Sequence, residues 1–212
     1  MSPHALSRRL RTLAAKPFVR GVGTTAAVRM AGVGLGMVGA LVAARFAGPE
    51  AYGTFAYLNA LITVLAIVVT FGGDTHTIQA ARQEGFAAPA FRAAVALMVL
   101  LGLVGLVLLV PLAAALYATG LFGEGRAALL TFTAVLIAVP ATWATRSIAA
   151  LWRAQERPLP AEITGSIVPR LGLLVGVVGF WALGGAPSGA QLILSVAVVT
   201  AISIVIAALP VA

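Results

Sequence analysis

Six long stretches of the chain are apolar almost without interruption, and the polar positions collect between them. A helix rises about 1.5 Å per residue, so roughly 20 apolar residues cross the roughly 30 Å hydrocarbon core of a bilayer. The stretches at 22–44, 54–72, 93–116, 127–149, 161–183 and 190–209 meet that length and predict six transmembrane helices. Arg29 interrupts the first; the fourth contains Pro140 and ends near Arg146; the fifth contains Arg170. The other three carry no charge, and the third is the most apolar. Helix breakers fill the connections: Gly48-Pro49, Gly72-Gly73, the glycines between 120 and 125, Pro158 with Pro160, and the Gly-Gly-Ala-Pro run at 184–187. Only 74–92 is long enough for a small helix of its own, expected at the membrane interface.

Composition sharpens this into a class. Of 212 residues, 61% are apolar and 9% charged, against roughly 45–50% and 25% in soluble domains. Mean hydropathy is +1.06. There is too little charge to coat a water-facing surface, so the fold expected is all-α and integral to a bilayer. The expected organisation is a basic tail at 1–20 followed by one six-helix lobe at 21–212. With no cysteine, thiol nucleophiles, thiolate metal sites and disulfides are excluded.

The net charge of +8 would suggest nucleic acid in a soluble protein, but its placement along the chain says otherwise. Arg8, Arg9, Arg11, Lys16, Arg20, Arg82, Arg92, Arg146, Arg153 and Arg157 fall on one side of the predicted membrane. Only Arg45 and Arg126 fall on the other. Cytoplasmic loops collect Lys and Arg, so the N-terminus is expected in the cytoplasm and no nucleic-acid partner is expected. Leu6, Leu10 and Leu13 recur at helical spacing among the tail arginines, as in a basic amphipathic helix on an anionic leaflet. A disordered topogenic tail is the alternative.

Charge inside a span costs about 2.5–3.5 kcal/mol on insertion scales and normally faces a bundle interior or a water-filled cavity. Arg29 shares its helical face with Thr25, Gly32, Gly36, Gly39 and Ala43, a stripe that admits a neighbouring helix or something bulky. Snorkelling to the surface would also accommodate it. Arg170 follows Pro169 near the middle of its span, with Ser166 and Glu162 preceding it on one polar face. Gly165, Gly172, Gly176 and Gly179 line the opposite face. Pro169 frees the carbonyl of Gly165 and bends the helix. An internal pair of Arg170 with Glu162 is one expectation, and a hydrated cavity with a fixed positive charge is the other. Thr131, Thr142 and Arg146 share roughly one side of the fourth span; Asn59 in the second either lines a cavity or joins helices. Guanidinium groups make planar, bidentate contacts with phosphate. Arg29 and Arg170 are therefore candidates for a substrate-phosphate cavity, with Glu162, Ser166 and Arg146 as lining or coupling residues. The residues alone stop at an anion or an anionic amphiphile.

Enzyme chemistry is not expected. His4 and His76 are the two histidines, only Glu162 of six carboxylates approaches the interior, and no phosphate-binding loop with a Lys occurs. No cluster has metal-ligand spacing, so no metal or cofactor is expected. Asp74 is expected to cap the short helix after Gly72-Gly73.

The run from Leu41 to Phe55 contains Ala44-Arg45, Gly48-Pro49-Glu50 and Tyr52-Gly53, and Gly72-Gly73-Asp74 follows at the end of the next apolar helix. This order and spacing resembles the first hairpin of polysaccharide (Wzx-type) flippases of the multidrug/oligosaccharidyl-lipid/polysaccharide (MOP) superfamily, over residues 20–75. As a hairpin, Gly48-Pro49 stops one helix and starts the next, Arg45 and Glu50 can pair, and Tyr52, Phe55 and Tyr57 suit an interfacial belt. The motif is expected to mark the family rather than to touch cargo. The resemblance implies translocation of a polyprenyl-diphosphate-linked oligosaccharide across the cytoplasmic (inner) membrane for cell-surface polysaccharide export. It also implies two helical lobes around a cationic cavity, of which this chain would be the N-terminal one and a second lobe of six to eight helices its partner. The competing expectations are a non-transporting membrane partner or truncated relic, and a cation-coupled drug exporter of the same superfamily.

Overall fold

The computed structural model describes residues 17–120 and 125–208, with side chains from residue 23 to 206. The leucines and basic residues of the 1–16 segment lie outside the described residues, and with them the expected amphipathic tail. All regular structure among the described residues is helical: α1 (Pro17–Phe46), α2 (Pro49–Thr70), α3 (Gly73–Glu84), α4 (Pro89–Ala118), α5 (Gly125–Ala154), α6 (Pro158–Glu162), the π-helical turn π1 (Ile163–Ile167), α7 (Val168–Ala182) and α8 (Gly189–Ala208). The segments α6, π1 and α7 run on as one membrane-length element, Pro158–Ala182. With it, Gly23–Phe46, Pro49–Thr70, Pro89–Ala118, Gly125–Ala154 and Gly189–Ile206 are long and apolar enough to cross a bilayer. The chain is thus an all-α integral membrane protein.

Several helices outrun their apolar stretches, because a helix stops at a breaker and not where hydropathy falls. Helix α2 begins at Pro49 and α4 at Pro89, each proline sitting at the first helical position where its missing N–H costs nothing. Gly48, at φ 90°, holds a backbone conformation that side-chain-bearing residues rarely adopt, and so turns α1 into α2 in two residues. The segment after Gly72 does form a helix of its own, α3. Gly72 itself is its N-cap and no side chain caps it. Asp74 instead lies in the first turn, its Oδ1 accepting from the backbone N–H of Thr75. The expected Asp74 cap is therefore corrected.

Small residues let the helices approach. A Cβ on Gly172 would lie 2.8 Å from the Cα of Val196, and one on Gly176 would strike Ser195, so α7 and α8 are in backbone contact. Two of the four glycines expected to pack behind Arg170 therefore do so; Gly165 and Gly179 meet nothing within 4 Å. The indole of Trp143 from α5 covers Gly102 of α4. Helix α8 packs on α7, α5 and α2, whereas α4 stands at the edge on α2, α3 and α5. The outward side chains of α4, such as Val107 at 71% and Leu108 at 62% exposed, are apolar, as a lipid-facing surface requires.

The connections after α1, α4 and α7 gather at one end of the bundle, opposite the end that carries α3. Near the former, Phe55, Leu58, Val177, Leu192 and Ile193 are buried together in the apolar core. Phe46 and Trp181 meet edge to face there, centroids 5.7 Å apart, half in contact and half exposed, as residues of an aromatic belt are.

Candidate functional site: an arginine-lined chamber

Between α1, α2, α5, α6–α7 and α8 lies a chamber of about 560 Å³. Four arginines and two carboxylates line it: Arg29, Arg146, Arg153 and Arg170 with Asp74 and Glu162. Both carboxylates are taken. Arg146 Nη2 meets Asp74 Oδ2 at 3.3 Å, and Arg153 Nη2 meets Glu162 Oε1 at 3.2 Å. Glu162 also accepts from Ser166 Oγ at 3.3 Å. Arg146 and Arg153 lie seven residues apart, two turns along one face of α5, so this helix is tied to α3 on one side and α6 on the other.

Arg29 and Arg170 are left without a carboxylate partner among the described residues. The expected pair of Arg170 with Glu162 does not form, because Arg153 holds Glu162. The Arg170 guanidinium instead donates through Nη1 to the carbonyl oxygen of Ser166, one turn back on its own helix. It lies against the glycine stripe of α1: a Cβ on Gly36 would come 2.8 Å from Arg170 Nε, and one on Gly32 3.1 Å from Nη1. The small residues on the Arg29 face therefore do make room for something bulky, and the bulk is Arg170. Gly39 continues the contact against Leu173, and Ala43 is fully buried.

The local backbone around Arg170 follows from Pro169. Proline offers no N–H, so the helix cannot close a normal bond from position 169 to the carbonyl of Gly165. The chain widens over Ile163–Ile167, where the N–H of Val168 reaches back to Ile163. Such π-turns recur at functional sites. Here the widening puts Gly165, Ser166, Pro169 and Arg170 on the chamber wall together.

Arg29 stands at the rim. It is exposed and lines both the chamber and a shallow outer groove of about 390 Å³ whose other walls are Ala26, Met30 and Val33. The site thus has a cationic interior and, beside Arg29, an apolar flank on the outside of α1.

Of the other residues marked in the sequence, Thr142 and Asn59 line the chamber, while Thr131 is buried elsewhere with its hydroxyl on the Ala127 carbonyl. Arg45 and Glu50 form no pair among the described residues. Gly48, Gly53 and Gly72 meet nothing within 4 Å and shape turns or open surface. The belt expected from Tyr52, Phe55 and Tyr57 holds for Tyr57, 52% exposed, but not for Phe55, which is 8% exposed. Tyr52 and Phe55 face the chamber. Arg153 was missed because it ends a helix and reads as part of a connection; its spacing from Arg146 is the signal that finds it. Asp74 and Thr200 reach the chamber with no such signal.

The described residues form a membrane bundle enclosing a chamber with two guanidinium groups, Arg29 and Arg170, that meet no carboxylate. The chain matches the family described as polysaccharide biosynthesis protein over residues 18–211 and belongs to it, the family of Wzx-type flippases in the MOP superfamily. No match is found among curated proteins or solved structures. The likeness first seen in one hairpin therefore runs through nearly the whole chain. The protein is a multi-pass membrane protein, and family and helices together support a transport role in polysaccharide export.

Proposed function

We propose that the chamber receives the diphosphate head of a polyprenyl-linked oligosaccharide and takes part in moving it from the cytoplasmic to the outer leaflet of the inner membrane. The observation that carries this reading is that Arg29 and Arg170 both line the chamber and neither has a carboxylate partner among the described residues. A resident ion pair would have no charge to offer; an unpaired guanidinium offers a planar set of donors suited to phosphate oxygens. The apolar groove beside Arg29 gives the lipid tail a path outside α1 while the head enters. In this reading the side of the chamber where Arg29, Asn59 and Thr63 are exposed faces a second helical lobe, and rocking of the lobes exposes the site to each leaflet in turn. The basic flank at 82–92 and 146–157 marks the cytoplasmic side.

The test is complementation of a flippase-deficient strain, with membrane insertion measured in parallel. Arg29→Ala and Arg170→Ala insert at normal levels and abolish polymer export. Export at the unaltered level by both variants overturns the proposal.

A further inference from the structure

We infer that one face of α2 is a glycan-binding wall, so that the chamber separates its ligand into a charged and a neutral part; this rests on the function proposed above. Tyr52, Phe55, Asn59 and Thr63 all line the chamber. Their spacing of three, four and four residues places them along one helical face. No charged residue of α2 or α8 reaches the chamber; all four arginines come from α1, α5 and α7. A face with neutral hydrogen-bonding groups and aromatic rings thus comes from a helix that contributes no guanidinium to the chamber.

The groups on it are available. Asn59 is exposed to the chamber and its amide bonds no other described residue. Thr63 Oγ1 donates to the Asn59 carbonyl at 2.7 Å, which leaves its oxygen free to accept. Thr200, from α8, is 4% exposed and its Oγ1 has no partner. A buried hydroxyl without a partner is costly unless a ligand or water completes it. Deeper in, the rings of Tyr52 and Phe55 lie 6.1 Å apart and tilted by 31°. Seven residues of helix from Asn59 to Tyr52 span about 10 Å, toward the end where α1 turns into α2.

A phosphate has no use for this wall, because the groups carry no charge. An acyl chain has none either, because it would strand the amide and the hydroxyls. A pyranose matches both halves: a rim of hydroxyls that donate and accept, and C–H faces that lie on aromatic rings. With the diphosphate on Arg170, the sugar joined to it extends along α2 toward Tyr52. The hairpin that marks the family by sequence then also reads the cargo.

Binding to the purified full chain in detergent micelles tests this, with farnesyl diphosphate and farnesyl diphosphate bearing one hexose as probes. The hexose raises affinity about tenfold, the worth of one or two added hydrogen bonds. Asn59→Leu and Tyr52→Leu each bring that gain below about threefold. Asn59 is at an exposed position, so its variant keeps the test readable if Tyr52→Leu does not fold. Equal affinity for the two probes in the unaltered protein, or a gain that survives both substitutions, overturns the inference. Farnesyl diphosphate binding that ignores Arg170→Ala strikes instead at the phosphate site, and the hexose increment is read independently of it.

Discussion

Replacing Gly36 by alanine adds one methyl group at the place where Arg170 crosses α1. The new Cβ would lie 2.8 Å from Nε and 3.2 Å from Cδ of Arg170. Comfortable contact begins near 3.5 Å, so the side chain must give way by roughly 0.7 Å at Nε. Overpacking of this kind costs about 1–3 kcal/mol, and a flexible arginine keeps the cost near the lower figure. Alanine also favours the helix over glycine by about 1 kcal/mol. The two effects nearly cancel, and the thermal midpoint in detergent changes little. Gly34→Ala supplies the matched control, since a Cβ there meets nothing within 4 Å. It carries the helical gain alone and raises the midpoint. The variants then diverge in binding. A guanidinium pushed off its seat loses about 1–2 kcal/mol of contact with a phosphate, a roughly 5–30-fold loss of affinity. Titration of farnesyl diphosphate onto each purified variant measures this, and Gly34→Ala binds like the unaltered protein. If Gly36→Ala matches Gly34→Ala in both midpoint and affinity, Arg170 does not lie in the glycine groove and the description of the site is wrong.

Two further outcomes follow from the packing and the charges. Gly172→Leu drives a side chain into the backbone of α8 at Val196, so the inserted protein falls to a small fraction of its normal level in a membrane-fraction immunoblot, whereas Gly179→Leu, which meets nothing within 4 Å, inserts normally. Asp74→Asn removes the counter-ion of Arg146 and raises pyrophosphate affinity about two- to fivefold at low salt, a modest figure because the pair is partly exposed. That gain shrinks as ionic strength rises, and a salt-independent change would contradict the electrostatic account.

The two chamber ion pairs lower the positive charge that the chamber presents. With Arg146 and Arg153 occupied by Asp74 and Glu162, Arg29 and Arg170 are the chamber arginines that meet no carboxylate among the described residues. The acids lie on α3 and α6, the arginines on α5 between them, so the same contacts fix the geometry of the chamber wall.

The helices, their order and their membrane character were legible along the chain, because hydrocarbon thickness imposes a length and excludes charge whatever the neighbours are. Arg29 and Arg170 were legible for the same reason: a guanidinium in an apolar run needs an explanation that no local structure provides. The glycine stripe beside Arg29 was visible too, though not what would fill it. Pairing was decided only by the tertiary fold. Glu162 lies eight residues before Arg170 on one helix face, yet it belongs to Arg153, because α5 brings that guanidinium within 3.2 Å. Asp74 and Arg146 are 72 residues apart, and no periodicity links them. Tyr52 and Phe55 have the chemistry of an interfacial belt and equally of a binding wall, and only the direction in which α2 faces its neighbours separates the two. Spacing along a helix fixes which residues share a face; which face meets which partner depends on packing contributed by the whole bundle.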